Sequence, residues 1–357
     1  MSKRILIMAG GTGGHVFPAL AIAGELKKRG YEILWLGTRG RMEEKLVPKS
    51  GFPIEYIDVR GIRRNGLKAK LSAPLMVCNA VRQALQVMKS FKPDAVLGMG
   101  GYASGPGGVA ARLCGIPLAL HEQNAAAGLT NRLLSKLATV IMLGFPGAFT
   151  GDRVRIVGNP VRNDILALYR RERDANNEKM RVLVIGGSLG AQALNELVPK
   201  AISLLDKNIL SVTHQCGGGH VEATQHAYEG CGADHEIREF ITDMSAAYAE
   251  HDLIICRAGA STVAETACAG IPAIFVPLPT AVDDHQTKNA MFSVGHKAAL
   301  LCPQKDLKPE SLAELLKDLA LHRDRLKAMS EAAYDCAVTD ATQRAADLID
   351  GIAASRS

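Results

Sequence analysis

The feature that most constrains this chain is a four-residue apolar run, Leu253–Cys256, that passes directly into a turn of small residues. The turn, residues 257–262, contains Ser261 and Thr262, which are favourable helix N-caps, so we expect a helix to begin there. A second apolar run, residues 273–277, follows the helical stretch. Strand, helix and strand in this order predict a βαβ unit in a parallel sheet, and therefore an α/β fold.

This unit allows two interpretations. It is either an ordinary βα turn with a serine cap and a solvated loop, or a nucleotide-sugar site. In the second case a diphosphate lies on the turn, where a helix N-terminus exposes unpaired N–H groups. Glu265, one helical turn further on, would accept hydrogen bonds from ribose hydroxyls, because a carboxylate suits a neutral diol better than a second anion. Gln286 and Asn289, in the polar loop after the second strand, would bind sugar hydroxyls.

Glycine loops follow apolar runs at three further places: residues 10–15, 99–106 and 186–191. The first loop fails the dinucleotide fingerprint, because Val16 replaces its third glycine, and it lacks the Gly-Lys-Ser/Thr of a P-loop. It still presents backbone N–H groups at a helix N-terminus, where phosphate binds well. Each half of the chain is a series of alternating strands and helices with a glycine loop after its first strand. This arrangement predicts two Rossmann-like domains with parallel sheets facing across a cleft.

The length of 357 residues allows two domains that each bury a core. Residues 158–162 resemble an interdomain connector, so we expect an N-terminal domain over 1–162 and a C-terminal domain over 163–337. The final helical segment, within 338–357, would pack back on the first domain.

Two places carry candidate acid–base groups. His15 lies at the edge of the first glycine loop, and although most single histidines are structural, this position favours catalysis. His121, Glu122, Gln123 and Asn124 crowd the end of an apolar run over residues 116–120, as expected for the floor of a site.

A basic and apolar segment, near residues 60–90, has two interpretations. It is either a surface helix whose apolar side faces the core, or a membrane-surface patch with basic residues near anionic head groups. The basic members are Arg60, Arg63, Arg64, Lys68, Lys70, Arg82, Lys89 and Lys92, and the apolar members are Leu67, Leu71, Leu75, Met76, Val81 and Leu85.

Composition excludes several classes. A net charge of +6 is modest for a nucleic-acid binder, so we expect no nucleic-acid partner. The eight cysteines form no Cys-x-x-Cys pair, which favours reduced core residues over a disulfide framework or a zinc site. The apolar run near the N-terminus is too short for a signal core, and no run approaches a membrane-spanning length. Any membrane contact should therefore be peripheral.

Taken together, these motifs resemble GT-B glycosyltransferases, and among them the bacterial peptidoglycan N-acetylglucosaminyltransferases. The resemblance extends over nearly the whole chain, and an ordered set of this kind is far more specific than one glycine loop. Its carriers are residues 10–15, 98–102, 104–106, 121–124, 158–162, 186–188, Arg257, Gly259, Ser261, Glu265, 270–272, Pro277, Gln286 and Asn289.

The resemblance implies transfer of GlcNAc from UDP-GlcNAc to the muramoyl 4-hydroxyl of undecaprenyl-pyrophosphoryl-MurNAc-pentapeptide (lipid I). The product would be lipid II of peptidoglycan synthesis. The anomeric centre would invert without a metal or another cofactor, and the chain has no Asp-x-Asp motif for Mg²⁺. A lipid acceptor also implies a peripheral location on the cytoplasmic face of the bacterial inner membrane.

Inversion requires one base, for which we hypothesise His15, with Glu122 as the second choice. The resemblance assigns the other groups by ligand. Ser188 and Arg162 would bind the diphosphate, and the Ile241 backbone, with Phe240 beside it, would bind uracil. Phosphate and ribose would be bound by Ala260, Ser261, Thr262, Val263, Ala264 and Glu265, and GlcNAc by Asn124, Gln286 and Asn289. The donor would be covered by Thr12, Gly13 and Gly14.

Three alternatives remain open. The nearest is another GT-B enzyme that acts on UDP-sugars, such as a UDP-GlcNAc 2-epimerase, which needs no lipid acceptor. An NAD-dependent oxidoreductase is opposed by Val16 at the third glycine position. A non-enzymatic scaffold on the inner membrane is opposed by glycine loops that a scaffold does not need.

Overall fold

The computed structural model describes residues 3–59, 67–171, 178–187 and 190–355, apart from the side chains of residues 67–73. The chain forms two compact units. The N-terminal unit is Met1–Arg162 together with Asp340–Ser357, and the C-terminal unit is Asn163–Thr339.

The N-terminal unit is built on a seven-stranded sheet whose neighbouring strands are all parallel. The strands are β1 Arg4–Met8, β2 Glu32–Gly37, β3 Ile54–Tyr56, β4 Ala95–Gly98, β5 Leu118–Glu122, β6 Val140–Leu143 and β7 Val154–Ile156. Their order is β3-β2-β1-β4-β5-β6-β7, so the winding direction reverses between β1 and β4. Doubly wound sheets bind ligands at this reversal, beyond the carboxyl ends of the strands.

Helices connect these parallel strands. They are α1 Gly13–Lys28, α2 Met42–Lys49, α3 Leu67–Phe91, α4 Ser104–Leu113 and α5 Leu129–Leu134. Every residue of β4, β5 and β6 is buried, as expected for central strands covered on both faces.

The C-terminal unit repeats this architecture with six parallel strands. They are β8 Met180–Ile185, β9 Leu210–Gln215, β10 Asp234–Arg238, β11 Leu253–Cys256, β12 Ala273–Phe275 and β13 Ala299–Leu301. The helices are α6 Asn163–Leu166, α7 Gln192–Ile202, α8 Val221–Ala227, α9 Met244–Glu250, α10 Ala260–Ala269, α11 His285–Gly295, α12 Pro309–Leu321 and α13 Arg323–Cys336, with a 3-10 turn at Val282–Asp284 before α11. The order β10-β9-β8-β11-β12-β13 places the reversal between β8 and β11.

The last helix, α14 Ala341–Ala354, belongs to the N-terminal unit and packs against α1. Its apolar side joins the core through Ala345, Ala346 and Ile349. Two ion pairs flank this contact: the side chain of Arg29 lies 2.6 Å from that of Asp347, and the side chain of Lys3 lies 3.4 Å from that of Asp350.

The expected α/β architecture is confirmed and α10 begins within the predicted turn, but the predicted N-caps were wrong. This helix begins at Ala260, its N-cap is Gly259, and neither Ser261 nor Thr262 caps it. Gly259 and Ala260 are small enough for the helix to start almost at once after β11, which places both hydroxyl residues inside the first turn. All eight cysteines are free. The prediction that they are core residues holds for five of them and was wrong for Cys78, which is exposed, and for Cys114 and Cys302, which are half-buried.

Candidate active site

The first glycine loop connects β1 to α1, and His15 lies in the first turn of this helix. Thr12 is the N-cap, and its carbonyl accepts hydrogen bonds from the N–H groups of His15 and Val16 at 3.1 and 3.2 Å. Gly11 has a φ of +93°, where a side chain would be strained. Thr12 is exposed and Gly13 and Gly14 are half-buried, so this part of the loop reaches the surface of the unit.

His15 lies against the second glycine loop. Its Nε2 atom would be 2.9 Å from a Cβ at Gly100, and a Cβ at Gly101 would be 2.4 Å from the carbonyl oxygen of Gly10. The two loops therefore touch at the β1/β4 reversal. The hydroxyl of Ser104 stabilises the second loop by donating to the Gly100 carbonyl at 2.7 Å. This geometry places His15 where a doubly wound sheet binds a ligand.

Glu122 ends β5 with its carboxylate almost fully buried, and it organises the following turn. Its Oε1 accepts from the backbone and side-chain N–H groups of Asn124 at 3.1 and 3.2 Å. Its Oε2 accepts from Gly128 N at 3.1 Å and from Asn131 Nδ2 at 2.9 Å. This geometry favours a role in positioning Asn124, whereas the hypothesis of Glu122 as a base stays a prediction.

His121 connects β5 to the segment that leaves the N-terminal unit. Its side chain is fully buried, and Nε2 donates to the Gly158 carbonyl at 3.0 Å. Burial lowers the pKa of His121 to about 4, so this ring is neutral at pH 7. Further along, the guanidinium of Arg162 lies over the Phe17 ring at 5.6 Å, and its role at the diphosphate stays a prediction.

The C-terminal unit contains a cavity of about 780 Å³ at its own strand-order reversal. The predicted residues Thr262 and Gln286 line it. The other lining residues are Gly186, Gly187, Gly190, Ala191, Gln192, Ala193, Glu196, Arg257, Gly259, Leu278, Pro279, Thr280 and Gln304. A glycine loop and the start of α10 therefore share one cavity large enough for a small-molecule ligand.

The start of α10 carries the predicted residues from Ala260 to Glu265 in its first two turns. Ala260 and Val263 are buried, whereas Ala264 and Glu265 are half-buried. Ser261 is half-buried too, and its Oγ is shielded from solvent with no hydrogen-bond partner among the described residues. Glu265 Oε2 accepts a hydrogen bond from the buried Tyr248 hydroxyl at 3.0 Å.

The predicted uracil residues follow β10 but differ in exposure. The Phe240 side chain is 61% exposed, whereas Ile241 is buried. An aromatic ring left this open at the end of a strand is available to stack on a planar ligand, and Ile241 anchors the backbone beside it.

The polar segment after β12, which the sequence assigned to a loop, is helical from His285 onward, so Gln286 and Asn289 lie in the first turns of α11. Gln286 Oε1 accepts from the Leu278 backbone N–H at 2.9 Å, and the buried Asn289 donates to the Ala258 carbonyl at 3.1 Å. Gln286 thus lines the cavity, whereas Asn289 supports the turn before α10. Its predicted contact with the sugar is not evident in this arrangement and stays a prediction.

Arg257 and Gln304 are cavity residues to which the sequence interpretation gave no binding role. The Arg257 guanidinium donates to the carbonyls of Val276 and Pro277 at 2.9 and 3.2 Å, and to Gln304 Oε1 at 2.8 Å. Burial lowers the pKa of Arg257 from its ordinary value, but an arginine remains charged at pH 7. The signal available in the sequence was an arginine directly after the apolar run of β11.

A chain of buried hydrogen bonds supports the third glycine loop, residues 186–191. Tyr228 donates to His214 Nδ1 at 2.9 Å, His214 Nε2 donates to Asn195 Oδ1 at 3.0 Å, and Asn195 Nδ2 donates to the Cys216 carbonyl at 3.0 Å. A Cβ at Gly190 would lie 2.1 Å from this carbonyl oxygen, so the loop rests directly on it. Ser188, the predicted diphosphate residue of this loop, lies outside the described residues.

Three helices of the N-terminal unit that pack in succession, α3 on α4 and α4 on α5, carry exposed apolar side chains. We call this exposed set the α3–α5 face, and its members are Leu75, Val109, Leu113, Leu129 and Leu133. Exposed basic residues Arg112, Arg132 and Lys136 are close to them in sequence. Arg60, Arg63 and Arg64, and the side chains of Leu67, Lys68, Lys70 and Leu71, lie outside the described structure. Within the part of the chain that the structure describes, every helix is too short or too polar to cross a bilayer.

Comparison with known proteins identifies both units. The glycosyltransferase family 28 N-terminal domain matches residues 5–143, and the C-terminal domain of that family matches residues 181–351. The UDP-N-acetylglucosamine–N-acetylmuramyl-(pentapeptide) pyrophosphoryl-undecaprenol N-acetylglucosamine transferase of Aeromonas hydrophila is 55% identical over 348 residues, covering 97% of this chain and 96% of that protein. The equally named protein of Tolumonas auensis is 53% identical, with 96% and 98% covered.

Solved structures agree with these matches. The crystal structure of Acinetobacter baumannii MurG superposes with a TM-score of 0.83 at 45% identity, covering 98% of this chain and 99% of that one. A UDP-N-acetylglucosamine 2-epimerase superposes with a TM-score of 0.68 at 16% identity, with 96% and 94% covered, and this likeness shows the fold alone. The two parallel α/β units are those of the GT-B fold, and the chain belongs to glycosyltransferase family 28.

Proposed function

We propose that this enzyme transfers GlcNAc from UDP-GlcNAc to the muramoyl 4-hydroxyl of undecaprenyl-pyrophosphoryl-MurNAc-pentapeptide, which forms lipid II. The observation that carries the proposal is the near full-length identity of 55% to a relative named for this transfer. The cavity of the C-terminal unit supports it, because a glycine loop and a helix N-terminus are suited to a diphosphate.

In the proposed reaction the acceptor oxygen attacks the anomeric carbon of GlcNAc and inverts it. The new C–O bond forms as the bond from the anomeric carbon to the UDP oxygen breaks, and the electron pair leaves with the diphosphate. Backbone N–H groups of the described part of the 186–191 loop and of the start of α10 stabilise this charge, with Arg257 lining the same cavity. His15 takes the acceptor proton.

The donor contacts extend this proposal. Glu265, oriented by Tyr248, accepts hydrogen bonds from the ribose hydroxyls, and Phe240 stacks beside uracil. Ser261 precedes the cavity residue Thr262 in the first turn of α10, and its Oγ has no hydrogen-bond partner among the described residues, so we assign it as a donor to phosphate.

We also propose that the enzyme binds the inner-membrane surface peripherally through the α3–α5 face. Single, scattered apolar residues are normal on a protein surface, whereas here five exposed apolar side chains lie on three adjacent helices. Apolar residues of this kind enter the head-group region while neighbouring lysines and arginines contact anionic lipid. A polyprenyl acceptor is held in the same membrane, so this face brings the enzyme to its substrate.

The decisive experiment measures UDP release from UDP-GlcNAc with and without a muramyl-pyrophosphoryl lipid. We expect release that depends on the lipid, together with a disaccharide product of inverted anomeric configuration. UDP release or ManNAc formation without the lipid would instead indicate the epimerase alternative and would contradict the proposal.

A further inference from the structure

We infer that Glu43 is a positioning residue that fixes the first glycine loop and, through it, His15. This inference rests on the proposed transferase activity with His15 as its base. Glu43 lies in the first turn of α2, which connects β2 and β3, and it is distant in sequence from every group assigned above.

The carboxylate of Glu43 is completely buried and is held by three hydrogen bonds. Its Oε2 accepts from the Gly11 backbone N–H at 3.0 Å. Its Oε1 accepts from the backbone N–H and the hydroxyl of Thr38 at 3.2 and 2.8 Å. A buried carboxylate is costly unless donors surround it, so these contacts hold Glu43 in one place. Its position at a helix N-terminus stabilises the negative charge further.

The surrounding sequence is adapted to this side chain. A Cβ at Gly10 would lie 2.3 Å from Glu43 Oε1, and a Cβ at Gly37 would lie 3.0 Å from Glu43 Cγ. Glycine at these two positions therefore makes room for the carboxylate. Glycine is needed at Gly11 for a different reason, namely its φ of +93°. In this conformation the Gly11 N–H donates to Glu43.

This contact has two consequences for the loop. The Gly11 N–H donates to Glu43 and is not available to an anionic ligand. Such a ligand would instead be bound by the N–H groups that follow Gly11 in the loop. Gly10 and Gly11 are also fixed next to the second loop, since Gly101 approaches the Gly10 carbonyl and His15 lies against Gly100. A shift of Gly11 would therefore move the helix start that carries His15, and misplacement of a base by about 1 Å costs roughly 100-fold in rate.

The test compares Glu43→Gln with Glu44→Gln in the full-length enzyme. In either orientation, the amide that Glu43→Gln introduces leaves one backbone N–H, of Gly11 or Thr38, without an acceptor. Glu44 is the matched control, because it is the next residue of the same helix, is only partly buried, and accepts from Gly40 N at 2.6 Å instead of from the glycine loop. The readouts are kcat for transfer, the Kd of UDP by calorimetry, and hydrogen exchange of the peptide that contains Gly11.

We expect Glu43→Gln to lower kcat by about 10- to 100-fold, to accelerate exchange at Gly11, and to leave the Kd of UDP unchanged. Glu44→Gln should match the wild type in all three. Wild-type kcat and exchange in Glu43→Gln would overturn the inference, and so would a loss of UDP affinity as large as the loss of kcat. If Glu43→Gln does not fold, Thr38→Val removes one donor to the carboxylate and should show the same pattern in weaker form.

Failure of the proposed function is distinguishable from failure of this inference. If the wild type releases no UDP with the lipid acceptor, the transferase proposal fails. The exchange measurement still tests whether Glu43 holds Gly11, because it requires no substrate.

Discussion

The hydroxyl of Tyr248 donates a 3.0 Å hydrogen bond to Oε2 of Glu265, so a buried residue of α9 orients a half-buried carboxylate of α10. Tyr248 is almost fully buried, and its ring cannot move without disturbing the core. The carboxylate is thereby held before a ligand arrives, which lowers the entropic cost of binding a diol.

Replacement of Glu265 should therefore weaken donor binding. We expect Glu265→Ala to raise the KM for UDP-GlcNAc by about 10- to 100-fold, since hydrogen bonds to a charged group contribute roughly 1.5–3 kcal/mol. Tyr248→Phe, which keeps the carboxylate but removes the hydrogen bond from the hydroxyl, should raise this KM by only about 2- to 10-fold. Steady-state kinetics at saturating acceptor checks both values, and an unchanged KM in Glu265→Ala would refute the ribose role.

Replacement of His15 should affect turnover rather than donor affinity. A general base contributes about 100- to 10,000-fold to a rate, so we expect His15→Ala to lower kcat by at least about 100-fold. The Kd of UDP-GlcNAc should change little, because the donor cavity is formed by the C-terminal unit. Asn124→Ala provides a comparison, since its predicted contact is with the sugar. Near-normal turnover of His15→Ala would exclude it as the base.

The sequence predicted the central strands well because their residues are apolar and buried on both faces. Leu253–Cys256 was assigned with its observed bounds, and the other predicted runs agree to within two residues at each end. It did not predict β3 and β13, which have only three residues each. The strand β6 was missed although all four of its residues are apolar and buried.

The candidate site was only partly predictable, for a physical reason. Glycine loops, helix starts and strand ends are local patterns, so they indicated His15, Thr262 and Gln286 as candidates, and the roles of these residues stay predictions. Glu43 and Tyr248 act through contacts with residues that are remote from them in the sequence, at Gly11 and Glu265. No local pattern distinguishes an ordinary glutamate in a helix from one that is buried under a glycine loop.

Stability should fall in mild acid because each unit contains a buried neutral histidine. Burial lowers the pKa of His121 and of His214 to about 4, below the value of about 6.5 expected in the unfolded chain. Between these values the unfolded state binds protons that the folded state does not, so stability decreases as the pH falls from about 6.5 to about 4. Each histidine should contribute a loss of about 3 kcal/mol over this range.

Urea unfolding as a function of pH tests this expectation. His214→Gln should flatten the fall in the unfolding midpoint of the C-terminal unit, whereas His226→Gln should not, because His226 is exposed. An equal pH dependence in the wild type and in His214→Gln would show that other groups control the acid transition.

Removal of divalent metal should leave turnover unchanged. The lining of the donor cavity contains one carboxylate, Glu196, alongside Arg257 and the backbone of a glycine loop. Such a lining is suited to stabilising a diphosphate with N–H groups, whereas Mg²⁺ prefers several oxygen ligands. We expect kcat in excess EDTA to equal kcat in added Mg²⁺ to within about twofold. A loss of activity in EDTA that Mg²⁺ restores would contradict the proposed metal-independent inversion.

The α3–α5 face should control membrane binding separately from chemistry. Leu75, Leu113 and Leu133 are each more than 60% exposed, and transfer of one leucine side chain to an apolar phase is worth about 1.5 kcal/mol or more. We expect the triple change of these leucines to serine to weaken binding to anionic phospholipid vesicles by about 100-fold, with kcat on a short-chain acceptor unchanged. The matched control is Leu204→Ser with Leu321→Ser, because these leucines are similarly exposed but belong to the C-terminal unit. Vesicle binding that survives the triple change, or that the control abolishes, would place the membrane contact elsewhere.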